Sequence, residues 1–296
     1  RYRKRSREAF YNAKNINVKL LYPSGKVSEI QEKQLTTIGG NVTAVEVNGT
    51  FDDCQRLVKT AFADDELREK INLSSANSIN IARLLPQALY YFEIYKYFDS
   101  TDDLILSVPS GNLGNLTGAL IANKMGLPIS TIVSALNAND VFHQYVATGK
   151  YEPRNAIPTI SNAMDVGAPN NLERIVHLFN EDLESLRGVI KTTSITDEET
   201  LETIKLIYNK YNYVVCPHTA VAAASLFKIY PEILDSGKAV ISSTAHPAKF
   251  LDIYDENIKS NIQIPEQLQE AINKTKQSIP ISREYEEFRV FLLNNN

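Results

Sequence analysis

Val108-Pro-Ser-Gly-Asn-Leu-Gly-Asn115 stands between an apolar, strand-like run, Leu104 to Val108, and a helix-like run, Leu116 to Lys124. A glycine-rich turn from strand to helix suits an anion. Gly111 and Gly114 allow close backbone approach, and the N–H groups and dipole of the following helix favour a phosphate. Glycine and asparagine are also ordinary turn residues, so the loop alone leaves a plain turn open. Its spacing is neither G-x-x-x-x-G-K-[ST] nor G-x-G-x-x-G, which argues against a P-loop and a dinucleotide fold.

Working outward, short β-branched runs alternate with helical patterns. Asn17 to Tyr22 reads as a strand, Ser28 to Thr37 as a helix and Asn41 to Val47 as a strand. A helix capped by Thr50 or Asp52 then runs to about Phe62. A helix from about Ile79 to Phe98 precedes the strand at Leu104, and a strand follows at Ile129 to Ala135. Farther on come a helix over Leu172 to Phe179, an acidic helical region between Glu181 and Tyr211, and a last clear strand, Ala239 to Ser243. This alternation predicts an α/β fold with mostly parallel sheets. The length of 296 residues suggests about two domains.

The 31 basic and 35 acidic residues leave a net charge of −4, which offers no general attraction for nucleic acid or an anionic membrane. Cys54 and Cys216 are too few and too far apart in sequence for a disulfide framework. No apolar run approaches a membrane span and no signal-peptide pattern opens the chain, so a cytoplasmic protein acting on a small molecule is expected.

A second group of polar residues gathers in Ser74-Ser-Ala-Asn-Ser-Ile-Asn-Ile-Ala-Arg83. Ser75, Asn77, Ser78 and Asn80 either cap a helix or bind a ligand there. Arg83 is either a surface charge or a bidentate clamp for a phosphate. His143, His177, His218 and His246 lack zinc-site spacing, and no CxxC or HExxH occurs, so no metal is expected. His218 and His246 adjoin prolines at turns, whereas His177 reads as a packing or surface residue.

These segments together resemble the threonine synthase family. The resemblance rests on Gly111-Asn-Leu-Gly-Asn115, Ser75-Ala-Asn-Ser-Ile-Asn80, Ile160-Ser-Asn-Ala-Met-Asp-Val-Gly167 and Ser243-Thr-Ala-His-Pro-Ala-Lys-Phe250, with Leu20 to Leu35 also matching. It extends from about Glu8 almost to the C-terminus. It implies a two-domain, fold type II pyridoxal-phosphate enzyme, with residues 1–100 as the remainder of the smaller domain and 101–296 as the larger, cofactor-binding one. It further implies that Gly111, Asn112, Leu113, Gly114 and Asn115 hold the cofactor phosphate and that Thr244 faces the pyridine nitrogen. Ser75, Asn77, Ser78, Asn80 and Arg83 would bind the phosphate of O-phosphohomoserine, which similar enzymes convert with water to L-threonine and phosphate. Leu113 stands where the family usually has Phe.

Two departures concern the N-terminal end. The family's Schiff-base lysine lies in a Phe-Lys-Asp-like motif; nothing here matches it, since Phe227-Lys228 is followed by Ile229 and Lys249 belongs to another motif. The lysine is therefore expected upstream of Arg1, and the chain is expected to be N-terminally truncated and inactive alone, with exposed apolar surface and self-association as consequences. Arg1-Tyr-Arg-Lys-Arg-Ser-Arg7 replaces a T-S-G-D-T-G loop. With suitable codons, a shift of one base turns it into Asp-Thr-Gly-Ser-Ala-Val, which suggests a frame slip; a basic arm and an artefact are the alternatives. Rival readings are another fold type II lyase, such as a dehydratase or a cysteine-synthase-like enzyme, and a non-catalytic remnant that binds phosphate or nothing.

Overall fold

Side-chain caps between the β-branched runs fix where the first helices begin. In the computed structural model, which describes residues 10–78, 80–98, 104–233 and 239–295, the chain opens with strand β1 (Val18–Pro23) and helix α1 (Glu29–Thr36). Strand β2 (Val42–Val47) and helices α2 (Phe51–Ala63) and α3 (Asp65–Lys70) follow. Ser28 Oγ accepts the Gln31 N–H at the start of α1. Thr50, not Asp52, caps α2: its hydroxyl accepts the Asp53 N–H at 3.1 Å and Asp53 Oδ2 accepts the Thr50 N–H at 2.8 Å, a reciprocal capping box.

The middle of the chain builds a second sheet with its own helices. A short 3-10 turn, Ile81–Arg83, leads to α4 (Leu85–Tyr95), β3 (Ile105–Pro109), α5 (Gly114–Lys124), β4 (Thr131–Leu136) and α6 (Val141–Thr148). Then come α7 (Leu172–Leu178), α8 (Leu183–Val189), β5 (Ile190–Ser194), α9 (Asp197–Tyr211), α10 (Pro217–Ile229), β6 (Ala239–Ile241) and α11 (Glu256–Lys259). The sheet order is β5-β4-β3-β6 with all pairings parallel. Leu106 and Val108 on β3, Ile132 on β4 and Leu116 and Leu120 on α5 are buried in one apolar cluster. Helix α10 is buried at every residue from Pro217 to Leu226, and only its last turn reaches the surface.

The chain closes with α12 (Glu266–Asn273), β7 (Ile279–Ile281) and α13 (Tyr285–Asn294). Strand β7 pairs in parallel with β2, completing a sheet of order β1-β2-β7. Phe288, Phe291 and Leu292 of α13 pack with Val47, Leu57 and Leu67. Contacts therefore divide the chain into one unit of residues 1–74, 248–250 and 262–296 and another of 75–247 and 251–261. The sequence predicts a single boundary near residue 100. Cys54 on α2 and Cys216 before α10 are buried free thiols, one in each unit.

Three expectations require correction. The helix placed over Ile79 to Phe98 begins only at Leu85, because Pro86 in its first turn lacks an N–H and favours a helix start there. The acidic helical region between Glu181 and Tyr211 is interrupted by β5, whose central Lys-Thr-Thr carries no apolar alternation. Ala239 to Ser243 is not the last strand: β6 ends at Ile241, and β7 lies beyond it. The reading of Arg1 to Arg7 as a frame slip falls outside the described residues.

Candidate functional site

Strand β3 pairs with β4 on one side and β6 on the other, while the chain leaving β3 crosses to β4. Such a reversal of strand order opens a crevice at the carboxyl ends of the strands, where α/β proteins place ligands. Residues 110–115 leave β3 at that edge, and Ser243-Thr244 leaves β6 beside it. Gly111 must be glycine because a Cβ would lie 2.7 Å from Met164 Cα and 3.1 Å from the Ala163 carbonyl oxygen. Leu113 is fully buried and left-handed, with φ 59°, and no side chain caps the helix α5 that begins at Gly114. Of the first-turn amides, that of Leu116 donates to Asn115 Oδ1 at 3.0 Å, while those of Gly114 and Asn115 remain for the loop's own concavity.

Ser110 and Asn115 brace the loop. Ser110 N donates to the Ala135 carbonyl at 2.7 Å, and Ser134 Oγ donates to Ser110 Oγ at 2.9 Å. Asn115 Nδ2 donates to the Pro109 carbonyl at 2.8 Å, and its own carbonyl accepts the Tyr91 hydroxyl at 3.1 Å.

The 75–83 segment folds into nested turns. Ser75 Oγ accepts the Asn77 N–H, Asn77 Oδ1 accepts the Ser78 N–H at 2.6 Å, and Asn80 Oδ1 accepts the Ala82 N–H at 3.0 Å. Asn77 is exposed, and Ser75, Ser78, Asn80 and Arg83 are half-buried. Ser78 joins this segment to the glycine loop: its Oγ accepts Asn112 Nδ2 at 3.2 Å, and its carbonyl accepts Arg174 Nη1. Asn112 Oδ1 accepts the Asn170 N–H at 2.6 Å, and the Asn112 carbonyl accepts Asn171 Nδ2 at 2.6 Å. Asn170, Asn171 and Arg174 are not among the residues singled out from the sequence; Asn170 and Asn171 fall in Gly167-Ala-Pro-Asn-Asn171, which reads as an ordinary polar turn.

A buried polar knot holds residues 157–165. Asp165 Oδ1 accepts from Thr159 Oγ1 at 2.7 Å, Asn137 Nδ2 at 2.9 Å and Asn139 Nδ2 at 3.1 Å, while Oδ2 accepts the Thr159 N–H at 2.9 Å. Burial pushes its carboxyl above the usual range, and the hydrogen bonds from Thr159 and Asn137 oppose that shift. The adjoining Ala163 N–H donates to Nε2 of buried His218 at 3.2 Å. The knot therefore fixes the Ala163-Met164 backbone against which Gly111 lies.

Thr244 is exposed, just past β6. The turn before it is tied by the Thr219 hydroxyl to Ser243 Oγ at 3.4 Å, and Ser242 Oγ is buried with no hydrogen-bond partner among the described residues. His143 Nδ1 meets Thr192 Oγ1 at 2.7 Å and His177 is exposed. Among the described residues no acidic, histidine or cysteine cluster could hold a metal, and no helix is long and apolar enough to cross a membrane.

The family described as pyridoxal-phosphate dependent enzyme matches residues 10–244. A threonine synthase of Buchnera aphidicola subsp. Acyrthosiphon pisum is 42% identical over 290 residues, covering 96% of this chain and 66% of that protein. The chain thus spans just under two thirds of that relative's length. The crystal structure of threonine synthase from Escherichia coli superimposes with a TM-score of 0.90 at 38% identity, covering 99% of this chain and 68% of the other. That of pyridoxal-phosphate-bound threonine synthase from Brucella melitensis gives a TM-score of 0.85 at 29% identity, again covering 99% of this chain and 68% of the other. A match across most of the chain, carried by the fold as well as the residues, places it: the chain belongs to the pyridoxal-phosphate dependent enzyme family and, within it, to the threonine synthase family.

Proposed function

We propose that the protein bearing this chain converts O-phospho-L-homoserine and water to L-threonine and phosphate, using pyridoxal 5'-phosphate. The observation that carries this reading is the meeting, at Ser78 and Asn112, of two polar segments each suited to a phosphate. One phosphate belongs to the cofactor and the other to the substrate.

The residues present fit the cofactor. Gly111 to Asn115 offer backbone N–H groups at an uncapped helix start, where an anion gains about 0.3–1 kcal/mol from the helix dipole. Leu113 points into the core, so replacing the family's Phe changes packing and leaves the amides that hold the phosphate in place. Thr244 offers the ring nitrogen a neutral hydroxyl, and buried Ser242 Oγ supplies a further polar group in the same turn. When bound, the cofactor supplies an electron sink for carbanion chemistry next to the amino group. Ser75, Asn77, Ser78 and Asn80 orient the substrate phosphate through short side chains, and Arg83 contributes a guanidinium charge that assists its departure. No Phe-Lys-Asp-like motif occurs in these residues, and we place the Schiff-base lysine outside them. The two buried thiols suit a reducing cytoplasm.

The test is release of inorganic phosphate and L-threonine from O-phosphohomoserine by the full-length gene product loaded with pyridoxal phosphate. Both products in equal amounts support the reading. Deamination of L-serine or L-threonine without phosphate release overturns it in favour of a dehydratase. Cofactor binding with neither reaction leaves a non-catalytic remnant.

A further inference from the structure

Four residues from three separate stretches close a hydrogen-bonded ring that runs through both proposed phosphate cradles. Asn112 Nδ2 donates to Ser78 Oγ at 3.2 Å; Asn171 Nδ2 donates to the Asn112 carbonyl at 2.6 Å; Arg174 Nη1 donates to Asn171 Oδ1 at 2.5 Å and also to the Ser78 carbonyl. Asn171 is wholly buried and uses both ends of its amide, so the Arg174 contact fixes which end faces the glycine loop. The segments meet at Gly114, where an added Cβ would make ordinary van der Waals contact with Leu84 Cδ2 at 3.4 Å, Ser78 Cβ at 3.5 Å and Asn171 Nδ2 at 3.7 Å.

We propose that Asn171 and Arg174 are positioning residues that join the 75–83 and 111–115 segments into one anion-binding unit, so that each phosphate is held in a geometry set by the other segment. This rests on the function proposed above. Ser78 is the pivot: Asn112 orients its hydroxyl and Arg174 anchors its carbonyl, which leaves the turn little freedom to swing away. Asn112 is held in turn through its carbonyl by Asn171 and through its side chain by Asn170. A loss at Asn171 or Arg174 therefore reaches both cradles without touching either phosphate.

The experiment uses the full-length protein with Arg174→Ala, Arg174→Lys, Asn171→Ala and Asn171→Asp. Arg174→Ala, which removes the hydrogen bonds to Asn171 Oδ1 and the Ser78 carbonyl, is expected to raise KM for O-phosphohomoserine and the inhibition constant of inorganic phosphate roughly tenfold, with kcat held within about twofold. Arg174→Lys, whose ammonium still donates to a carbonyl, recovers most of that loss. Asn171→Asp keeps the volume and the acceptor for Arg174 but loses the donor to Asn112, so it weakens both phosphate and pyridoxal-phosphate binding as Asn171→Ala does. Equilibrium binding of inorganic phosphate and of pyridoxal phosphate to unloaded protein provides a readout apart from turnover. If Asn171→Ala does not fold, the Arg174 pair decides. Unchanged KM and phosphate affinity in folded Arg174→Ala, or a fall in kcat alone, overturns the proposal. Failure of the unsubstituted protein to release phosphate from O-phosphohomoserine overturns the function instead, and the binding arm still judges the ring.

Discussion

At the scale of single residues, the same substitution has opposite signs at two glycines. Gly111→Ala would press a methyl to 2.7 Å from the Met164 backbone, which the Asp165 knot holds in place, so neither side yields cheaply. We expect about 1–3 kcal/mol of destabilisation and weaker pyridoxal-phosphate binding, measured by urea unfolding and equilibrium titration. Gly188 lies inside α8 with nothing within 4 Å of an added Cβ. Gly188→Ala should stabilise by about 0.5–1 kcal/mol through helix propensity, read in the same urea experiment. Local sequence announced the first of these sites, since a strand, a glycine loop and a helix follow one another directly. It could not announce Asn171 or Arg174. Arg174 reaches Ser78 across 96 residues of chain, and asparagines before a helix read as ordinary turn residues.

Among elements, the sheet of β1, β2 and β7 has a charged clasp. Glu46 on β2 accepts from Lys276 at 2.8 Å, Ser24 at 2.7 Å, Ser278 at 2.9 Å and Tyr22 at 3.0 Å. The Lys276 ammonium and the surrounding hydroxyls hold its carboxyl down at about 2, against the opposing effect of burial. A depressed carboxylate stabilises above its unfolded pKa of about 4.3 and loses that contribution as pH falls through about 2. Glu46→Gln should therefore be less stable than the parent at pH 7, with the difference shrinking through that acid window when unfolding is followed by circular dichroism. The elements of this sheet differed in legibility for physical reasons. β1, β2 and the capped helix α2 carry their signals locally, whereas β7 is a three-residue Ile-Pro-Ile given its place by pairing with distant β2. Helix α10 lacks the period that marks a half-exposed helix, because Pro217 to Leu226 are buried on every side and most of them are apolar.

Across the whole molecule, the chain leaves its first unit after residue 74 and completes it only with residues 262–296, so that unit cannot finish its core until nearly all of the sequence is available. Phe288 is 3% exposed and shares a core with Cys54 and Leu57, and Phe288→Ala should cost about 3–5 kcal/mol there. The two buried cysteines make that measurable. Burial raises the Cys54 thiol to about 12, so in the closed fold it is both shielded and almost wholly protonated, and only the thiolate reacts. Each thiol is then alkylated only when its surroundings open. In the Phe288→Ala variant the labelling of Cys54 should accelerate more than that of Cys216, followed by mass spectrometry of the two peptides. The pair of cysteines, unpromising as chemistry, thus serves as a natural stopwatch, timing the opening of each unit at a residue the chain already carries.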